Sequence, residues 1–147
     1  MKIVSLEPAL EPIFWEHVSQ DFPHYHFFAF DWKYNRNETK ILLALIGSRI
    51  DGMMLVYRQY IVQLRGSSEA VKALLKRLDL EKVELQALEE HKDYVLEEYK
   101  PTVSHRMMLM VLHRGEERLQ INHPAVELSI SDAEQIAAIM RDADPEF

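Results

Sequence analysis

The chain has 147 residues, of which 48% are apolar and 28% are charged, and its formal net charge is −7. This length suits one ordinary globular domain with a buried core, and the negative charge disfavours nucleic acid as a partner. Cysteine is absent, which excludes disulfides, thiolate metal sites and a cysteine nucleophile, and no apolar run reaches the length of a membrane span. We therefore expect a cytoplasmic protein without a signal peptide.

The first third of the chain predicts a strand, a helix and an aromatic extended segment. Residues 2–6 are predicted to form a short strand, and apolar residues at helical spacing follow it, among them Ile13, Phe14 and Val18. Residues 25–32, YHFFAFDW, are rich in aromatic residues, and we interpret them as extended. The polar residues 33–39 predict a loop.

The middle of the chain predicts a meander of strands followed by a helix. Residues 41–46 and 53–57 are aliphatic runs, and Asp51-Gly52 between them predicts the turn of a hairpin. Residues 60–65 alternate as a further strand. An amphipathic helix follows, with an apolar stripe made of Val71, Leu74, Leu75 and Leu78.

The remaining residues predict alternating strands and helices. We expect a short strand at residues 82–86, a charged helix at 88–99 and a long buried central strand at 104–114. Residues 116–122 predict an edge strand and residues 124–130 a further strand. Residues 131–134, Ser-Asp-Ala-Glu, form a capping box that predicts a last helix. The order of elements indicates an α+β domain with a mostly antiparallel sheet flanked by helices.

Two stretches resemble the GNAT superfamily of N-acetyltransferases. ILLALIGSRIDGMMLVYRQYIVQLRGSSEAVKALLKRL, residues 41–78, is similar to the middle of that family, and HKDYVLEEYKPTVSHRMMLMVL, residues 91–112, is similar to its closing segment. The resemblance covers roughly residues 40–112 and lies in the order of the motifs. It implies a GNAT-like fold and acetyl-CoA as the cofactor, bound here or by a downstream domain.

The final residues suggest two alternative domain organisations. Residues 124–147 resemble the family's first strand and helix, and Leu128-Ser129-Ile130 echoes Val4-Ser5-Leu6. In one interpretation, residues 1–123 form a degenerate GNAT-like domain and residues 124–147 begin a second repeat of a tandem protein. In the other, residues 124–147 complete a single domain with one strand and one helix.

The resemblance implies a cofactor site at the turn before the central helix. In that family the pyrophosphate of acetyl-CoA binds to this turn, which here contains Arg65, Gly66, Ser67 and Ser68. Consecutive N–H groups at a helix N-terminus suit phosphate. The alternative is structural, with Gly66 bending the chain and Ser67 or Ser68 capping the helix.

The resemblance also implies a tyrosine that acts as the acid for the departing thiolate. Tyr99 is the nearest candidate and Tyr94 its rival, although both also suit an amphipathic helix. A separate pattern, His24-x-His26 near His17 and Asp21, would turn both rings to one side if extended. No third metal ligand is fixed in position, and we predict no metal site.

Three functions remain open from the sequence. The preferred hypothesis is a non-catalytic or regulatory N-terminal GNAT-like domain, whose partner is a second GNAT domain in the same chain or a homodimer partner. The alternatives are an N-acetyltransferase with a degenerate acetyl-CoA loop, and a small-ligand or metal-binding module that uses the two histidines. An isolated front half exposes apolar surface, which predicts self-association.

Overall fold

The computed structural model describes residues 1–116 and 127–143 of the chain. Two compact units are present, Met1–Met110 and Val111–Phe147. Each unit is described by itself below. Among the described residues, no helix combines the length and the apolar character needed to cross a bilayer.

The first unit contains five strands and four α-helices. In chain order they are β1 Lys2–Ser5, α1 Glu11–Gln20, α2 Phe22–Tyr34, β2 Thr39–Ile46, β3 Arg49–Tyr57, β4 Ile61–Gly66, α3 Ser68–Leu75, β5 Glu84–Gln86 and α4 Lys92–Glu98. Short 3-10 turns precede α1, β2 and α4, at Pro8–Leu10, Arg36–Glu38 and Glu89–His91.

The strands form one sheet in the order β1-β2-β3-β4-β5. The first three neighbouring pairs are antiparallel, and β4 and β5 are parallel. A parallel pair requires a crossover, which α3 supplies. The predicted α+β class with a mostly antiparallel sheet flanked by helices is thus confirmed.

Each face of the sheet carries its own core, because side chains alternate along a strand. One core, which we call the α1/α2 layer, contains Phe14, Val18, Phe28 and Trp32 packed on Ile41, Leu43, Met53 and Leu55 of the sheet. The other, the α3/α4 layer, contains Ala70, Val71, Leu74 and Leu75 packed on Leu42, Met54, Val62 and Leu64.

The predicted hairpin between β2 and β3 is present, but its turn lies earlier than predicted. Ile46 pairs with Arg49, so Gly47 and Ser48 form the turn, and Gly47 has a φ of +63°. Asp51 and Gly52 lie inside β3 instead. A Cβ on Gly52 would lie 2.6 Å from the Cβ of Ala70, so this glycine allows α3 to approach the sheet.

The predicted extended segment at residues 25–32 is wrong, because these residues lie inside α2. Helix packing explains the difference. Phe28, Ala29 and Trp32 recur at helical spacing and are buried against the sheet. The other aromatic residues of the segment obscured that period in the sequence.

The predicted buried strand at residues 104–114 is also wrong. These residues have no regular secondary structure, and Met107, Met108 and Met110 are 82 to 85% exposed. A strand needs a neighbour for its backbone hydrogen bonds, and within the described residues this segment pairs with no strand. The predicted edge strand at 116–122 lies outside the described residues except for Glu116.

In the second unit, the predicted helix is present as α5, Ala133–Ala143. A 3-10 turn, Ile130–Asp132, precedes it, and the Asp132 carboxylate accepts a hydrogen bond from the Ser129 N–H at 2.8 Å. The cap therefore lies two residues before the predicted one. Of the strand predicted at residues 124–130, residues 127–129 are not in a strand, and residues 124–126 lie outside the described residues.

Candidate functional site

The predicted cofactor residues lie together where β4 ends and α3 begins. Gly66 ends β4 with a φ of +125°. A Cβ at this position would overlap with the Cα of Gly52 and the carbonyl oxygen of Asp51. Gly66 thus serves the close contact between two strands, which is sufficient reason for a glycine here.

The N-terminus of α3 is capped from within the chain. Ser67 Oγ accepts a hydrogen bond from the Ala70 N–H at 3.2 Å and donates one to Asp51 Oδ2 at 2.5 Å. The Ser67 N–H also donates to the Asp51 carbonyl at 3.0 Å. These bonds hold a carboxylate beside the positive end of the helix dipole, which favours anions.

Charges around this cap are mixed. Glu69 adds a second carboxylate in the first turn of α3. Arg49 Nη2 lies 3.8 Å from Asp51 Oδ1, but the Arg49 side chain is largely exposed. Its attraction for Asp51 is therefore screened by water, and two carboxylates adjoin the N-terminus of α3.

Beyond the cap, β4 and β5 separate. Only Ile61, Val62 and Gln63 of β4 have partners in β5, so residues 64–66 extend past the end of the pairing. The Ser67 N–H bonds to β3. Because successive peptide groups of a strand point to alternate sides, the carbonyls of Leu64 and Gly66 point away from β3 and toward the side of β5. We call this space the β4–β5 gap.

Both carbonyls that face the β4–β5 gap accept hydrogen bonds from side chains of this chain. Arg65 Nη1 donates to the Leu64 carbonyl at 2.8 Å. His91 Nε2 lies 3.1 Å from the Gly66 carbonyl, and because a carbonyl only accepts, this contact places a proton on Nε2. His91 is fully buried. The gap is thus closed by an arginine from one strand and a histidine that follows the other.

The Arg65 side chain donates hydrogen bonds to two backbone carbonyls. Its Nε also donates to the His24 carbonyl of α2 at 3.3 Å. Burial lowers the pKa of Arg65, and the nearby Tyr25 opposes this shift. These two bonds use two of the five N–H donors of the guanidinium and fix its position between β4 and α2.

Two buried polar atoms of this region have no hydrogen-bond partner within the described part of the chain. They are Nδ1 of His91, whose Nε2 contacts the Gly66 carbonyl, and Oε1 of Gln63, the last residue of β4 that pairs with β5. With the proton on Nε2, a neutral His91 presents Nδ1 as an acceptor. Such acceptors suit a donor on a small polar molecule, including water.

The two candidate tyrosines contact different parts of the chain around α3. The Tyr99 hydroxyl donates to the carbonyls of Leu80 at 3.2 Å and Leu78 at 3.5 Å, which follow the C-terminal end of α3. Burial raises the pKa of Tyr99, with smaller contributions from Glu98 and Asp79. Tyr94 packs beside α3 with Lys72 Nζ 3.7 Å from its ring centroid. The role of Tyr99 as an acid stays a prediction.

The histidine pair lies in α2 and is not extended. Residues two apart on a helix point to different sides, so His24 and His26 do not share a face. His24 Nδ1 contacts the Asp21 carboxylate at 2.8 Å, and His26 Nδ1 contacts the Pro23 carbonyl at 2.9 Å. Within the residues described, no group of three or more His, Cys, Asp or Glu side chains could hold a metal ion.

Sequence reasoning missed Asp51 and His91 at this site. The sequence predicts Asp51 as part of a turn and assigns His91 no role in a site. No local signal marks either residue, because both reach the site through the pairing of β3 with β4 and the path of the chain after β5.

Comparison with known proteins gives one structural similarity. No protein-family model and no curated protein sequence matches the chain. Among solved structures, the chain is similar to one described as "Crystal structure of a probable acetyltransferase", with 12% sequence identity and a TM-score of 0.49, over 77% of this chain and 100% of that chain.

Proposed function

We propose that residues 1–110 form a GNAT-like domain without a working acetyl-CoA site at the β4–α3 turn, and that the chain serves as a non-catalytic or regulatory domain. The single observation that carries this proposal is the cap of α3, where Ser67 and the Asp51 carboxylate occupy the place that a phosphate would need. The GNAT-like assignment rests on the resemblance of residues 41–78 and 91–112 and on the order of the elements in the sheet.

Electrostatics supports this reading of the turn. Two unit charges 4 Å apart repel by about 4 kcal/mol at the effective dielectric near a protein surface. A pyrophosphate at the N-terminus of α3 would meet the Asp51 carboxylate at comparable range, and it would find the Ala70 N–H already bonded to Ser67. Arg49 would offset only part of this repulsion.

The closed β4–β5 gap supports the same reading. A ligand chain between the strands would have to displace Arg65 from the Leu64 carbonyl and His91 from the Gly66 carbonyl. Displacing a buried group from its acceptor leaves unsatisfied polar atoms, which cost about 1 to 3 kcal/mol each. Entry of a cofactor would therefore have to offset two such losses.

A domain of this kind acts through a partner. We propose a second GNAT-like domain in the same chain or a second copy of this chain as that partner, with residues 124–147 as the start of a second repeat. Where the partner is a second GNAT-like domain, acetyl-CoA would bind to that domain.

A second candidate function, an N-acetyltransferase with a degenerate loop, is favoured by one observation. The unpartnered acceptor Nδ1 belongs to His91, the histidine that closes the gap where β4 and β5 separate. If a cofactor opened this gap, this atom would be available to its amide groups.

Calorimetric titration with acetyl-CoA separates the two candidates. We expect no binding by the full chain, and none by a Ser68→Asp variant, which adds a negative charge in the first turn of α3 while favouring the helix dipole. Micromolar binding by the unmodified chain that Ser68→Asp abolishes, with circular dichroism unchanged, would overturn the proposal and establish the turn as a cofactor site.

A further inference from the structure

Helix α2 is apolar on both of its sides. Its inner side, with Phe28, Ala29 and Trp32, is buried against the sheet. On its outer side Phe27, Phe30 and Tyr34 recur at the i, i+3, i+7 spacing of one helix face and are 45, 54 and 63% exposed. We call these three residues the α2 stripe. A helix that is apolar all round is ordinarily buried on every side.

The rings of the α2 stripe contact neighbouring rings in two pairs. The Phe30 and Tyr34 centroids are 4.9 Å apart, and the His26 and Phe27 centroids 3.9 Å apart. Three rings at about half exposure present roughly 250 to 400 Å² of apolar surface. That area is similar to the largest apolar patch on a typical monomer, which is often an interaction site.

The charge on this face is unusual for the molecule. The chain has a net charge of −7, yet the charged residue adjoining the stripe is Lys33, whose Nζ lies 5.1 Å from the Tyr34 centroid. The acids of α2 and of its N-cap are engaged, because Asp21 contacts His24 and Asp31, which is buried, accepts from Asn35. Neither acid belongs to the α2 stripe, and each already has a hydrogen-bond partner in its own chain.

The stripe is also complementary to itself. In an antiparallel pair of α2 helices with the twofold axis at Phe30, Lys33 lies at the same height as the partner's Phe27, and Tyr34 lies at the same height as the partner's His26. The first pairing suits a cation–π contact. The second suits a hydroxyl hydrogen bond to Nε2, since His26 Nδ1 already contacts the Pro23 carbonyl.

From these observations we infer that the α2 stripe is the interface of a homodimer, in which two copies of this chain pack α2 against α2 in antiparallel orientation. Such an interface is isologous and closes with two subunits. Its modest area fits a weak, reversible dimer. The inference stands whether or not the chain binds acetyl-CoA.

The test is sedimentation equilibrium of the full chain over a concentration series that reaches on the order of 1 mM. We expect a reversible monomer–dimer equilibrium for the unmodified chain. Phe30→Glu should weaken the dimer at least about tenfold, because it places two carboxylates on the twofold axis. Phe30 is exposed, so circular dichroism of this variant should be unchanged.

Two variants serve as matched controls. Leu96→Glu alters an exposed apolar residue of α4, and Met108→Glu alters the exposed segment at residues 104–114; both should leave the dimer constant within about twofold. A monomer throughout the series would overturn the inference. So would a dimer that survives Phe30→Glu, or one that only Met108→Glu disrupts.

Cross-linking gives an independent measure of the geometry. The chain has no native cysteine, so Phe30→Cys introduces a single thiol. Near a twofold axis two such thiols approach disulfide distance, and mild oxidation should yield a covalent dimer. Leu96→Cys should not. Equal yields from the two variants would contradict the proposed axis.

Discussion

Helices α2 and α3 pack on opposite faces of the same sheet but differ in what they present to solvent. The outer side of α3 carries Glu69 and Lys72, both exposed, while its buried side is aliphatic. The outer side of α2 carries exposed aromatic rings. An amphipathic helix such as α3 completes a surface, whereas a helix that is apolar on both sides needs a second layer. The exposed residues of α3 are thus charged, whereas those of α2 are aromatic, and this difference motivates the proposed dimer.

The largest expected effect on stability comes from a substitution at the point where α3 meets the sheet. Gly66→Ala should destabilise the fold by more than about 3 kcal/mol, because its φ of +125° disfavours any side chain and the added Cβ would overlap with Gly52 and Asp51. Urea unfolding followed by circular dichroism measures the loss. Gly47→Ala is the matched control, since its Cβ would meet nothing within 4 Å, and it should cost about 1 to 2 kcal/mol. Equal losses for the two variants would contradict the proposed contact.

Substitution of two phenylalanines, one on each side of α2, distinguishes the buried side of the helix from its exposed side. Phe28→Ala removes a fully buried ring and should cost about 3 to 5 kcal/mol. Phe30→Ala removes an exposed ring and should change the free energy of unfolding of the monomer by less than about 0.5 kcal/mol. Urea unfolding at low concentration, where the monomer dominates, provides both values. A large loss for Phe30→Ala under these conditions would mean that the outer ring packs within its own chain.

Removal of the cap of α3 should reduce the free energy of unfolding by a moderate amount. Ser67→Ala removes the acceptor of the Ala70 N–H and the donor to Asp51, and we expect a loss of about 1 kcal/mol. Ser68→Ala provides the comparison, because Ser67 is the residue at the N-cap position. Thermal unfolding should separate the two variants, and a larger loss for Ser68→Ala would contradict the cap as described.

The smallest expected effect is a pH dependence of the free energy of unfolding, which arises in the α1/α2 layer. Burial lowers the pKa of His17 from its usual 6.5. In the unfolded chain the usual pKa returns, so below pH 6.5 the unfolded state binds a proton that the folded state does not. Stability present above pH 6.5 is therefore lost as the pH falls toward the lowered pKa.

This dependence is measured by comparing the unmodified chain with His17→Gln. The urea midpoint should fall less in His17→Gln than in the unmodified chain between about pH 7.5 and about pH 5.5. The contact between Asp21 and His24 is present in both proteins and cancels in the comparison. An equal fall in the two proteins would contradict a role for His17.

Much of the first unit could be predicted from periodicity. The strands β1, β2 and β4, and the helices α1 and α3, have apolar residues at the spacing of their elements, and each was predicted close to its observed position. Helix α2 was missed because a helix with apolar residues on both sides has no period. The turn at Gly47 was misplaced because Asp51-Gly52 has the sequence of a turn, while Gly52 is small for a different reason, the approach of Ala70.

Only those residues of the candidate site that are adjacent in sequence could be predicted. Gly66 and Ser67 follow a strand and precede a helix, so their roles as bend and cap could be inferred from neighbouring residues. Asp51 and His91 are distant in sequence from the turn, and their roles depend on strand register and on the path of the chain after β5. Single-sequence patterns do not encode such contacts.

The α1/α2 layer also contains both tryptophans of the chain. Trp15 lies on α1 and Trp32 on α2, with Trp32 buried beside Phe14 and beneath the guanidinium of Arg36. Intrinsic tryptophan emission therefore reports one face of the sheet and is insensitive to the other. Emission and backbone ellipticity, followed in the same melt, would reveal whether the two layers come apart together or one after the other.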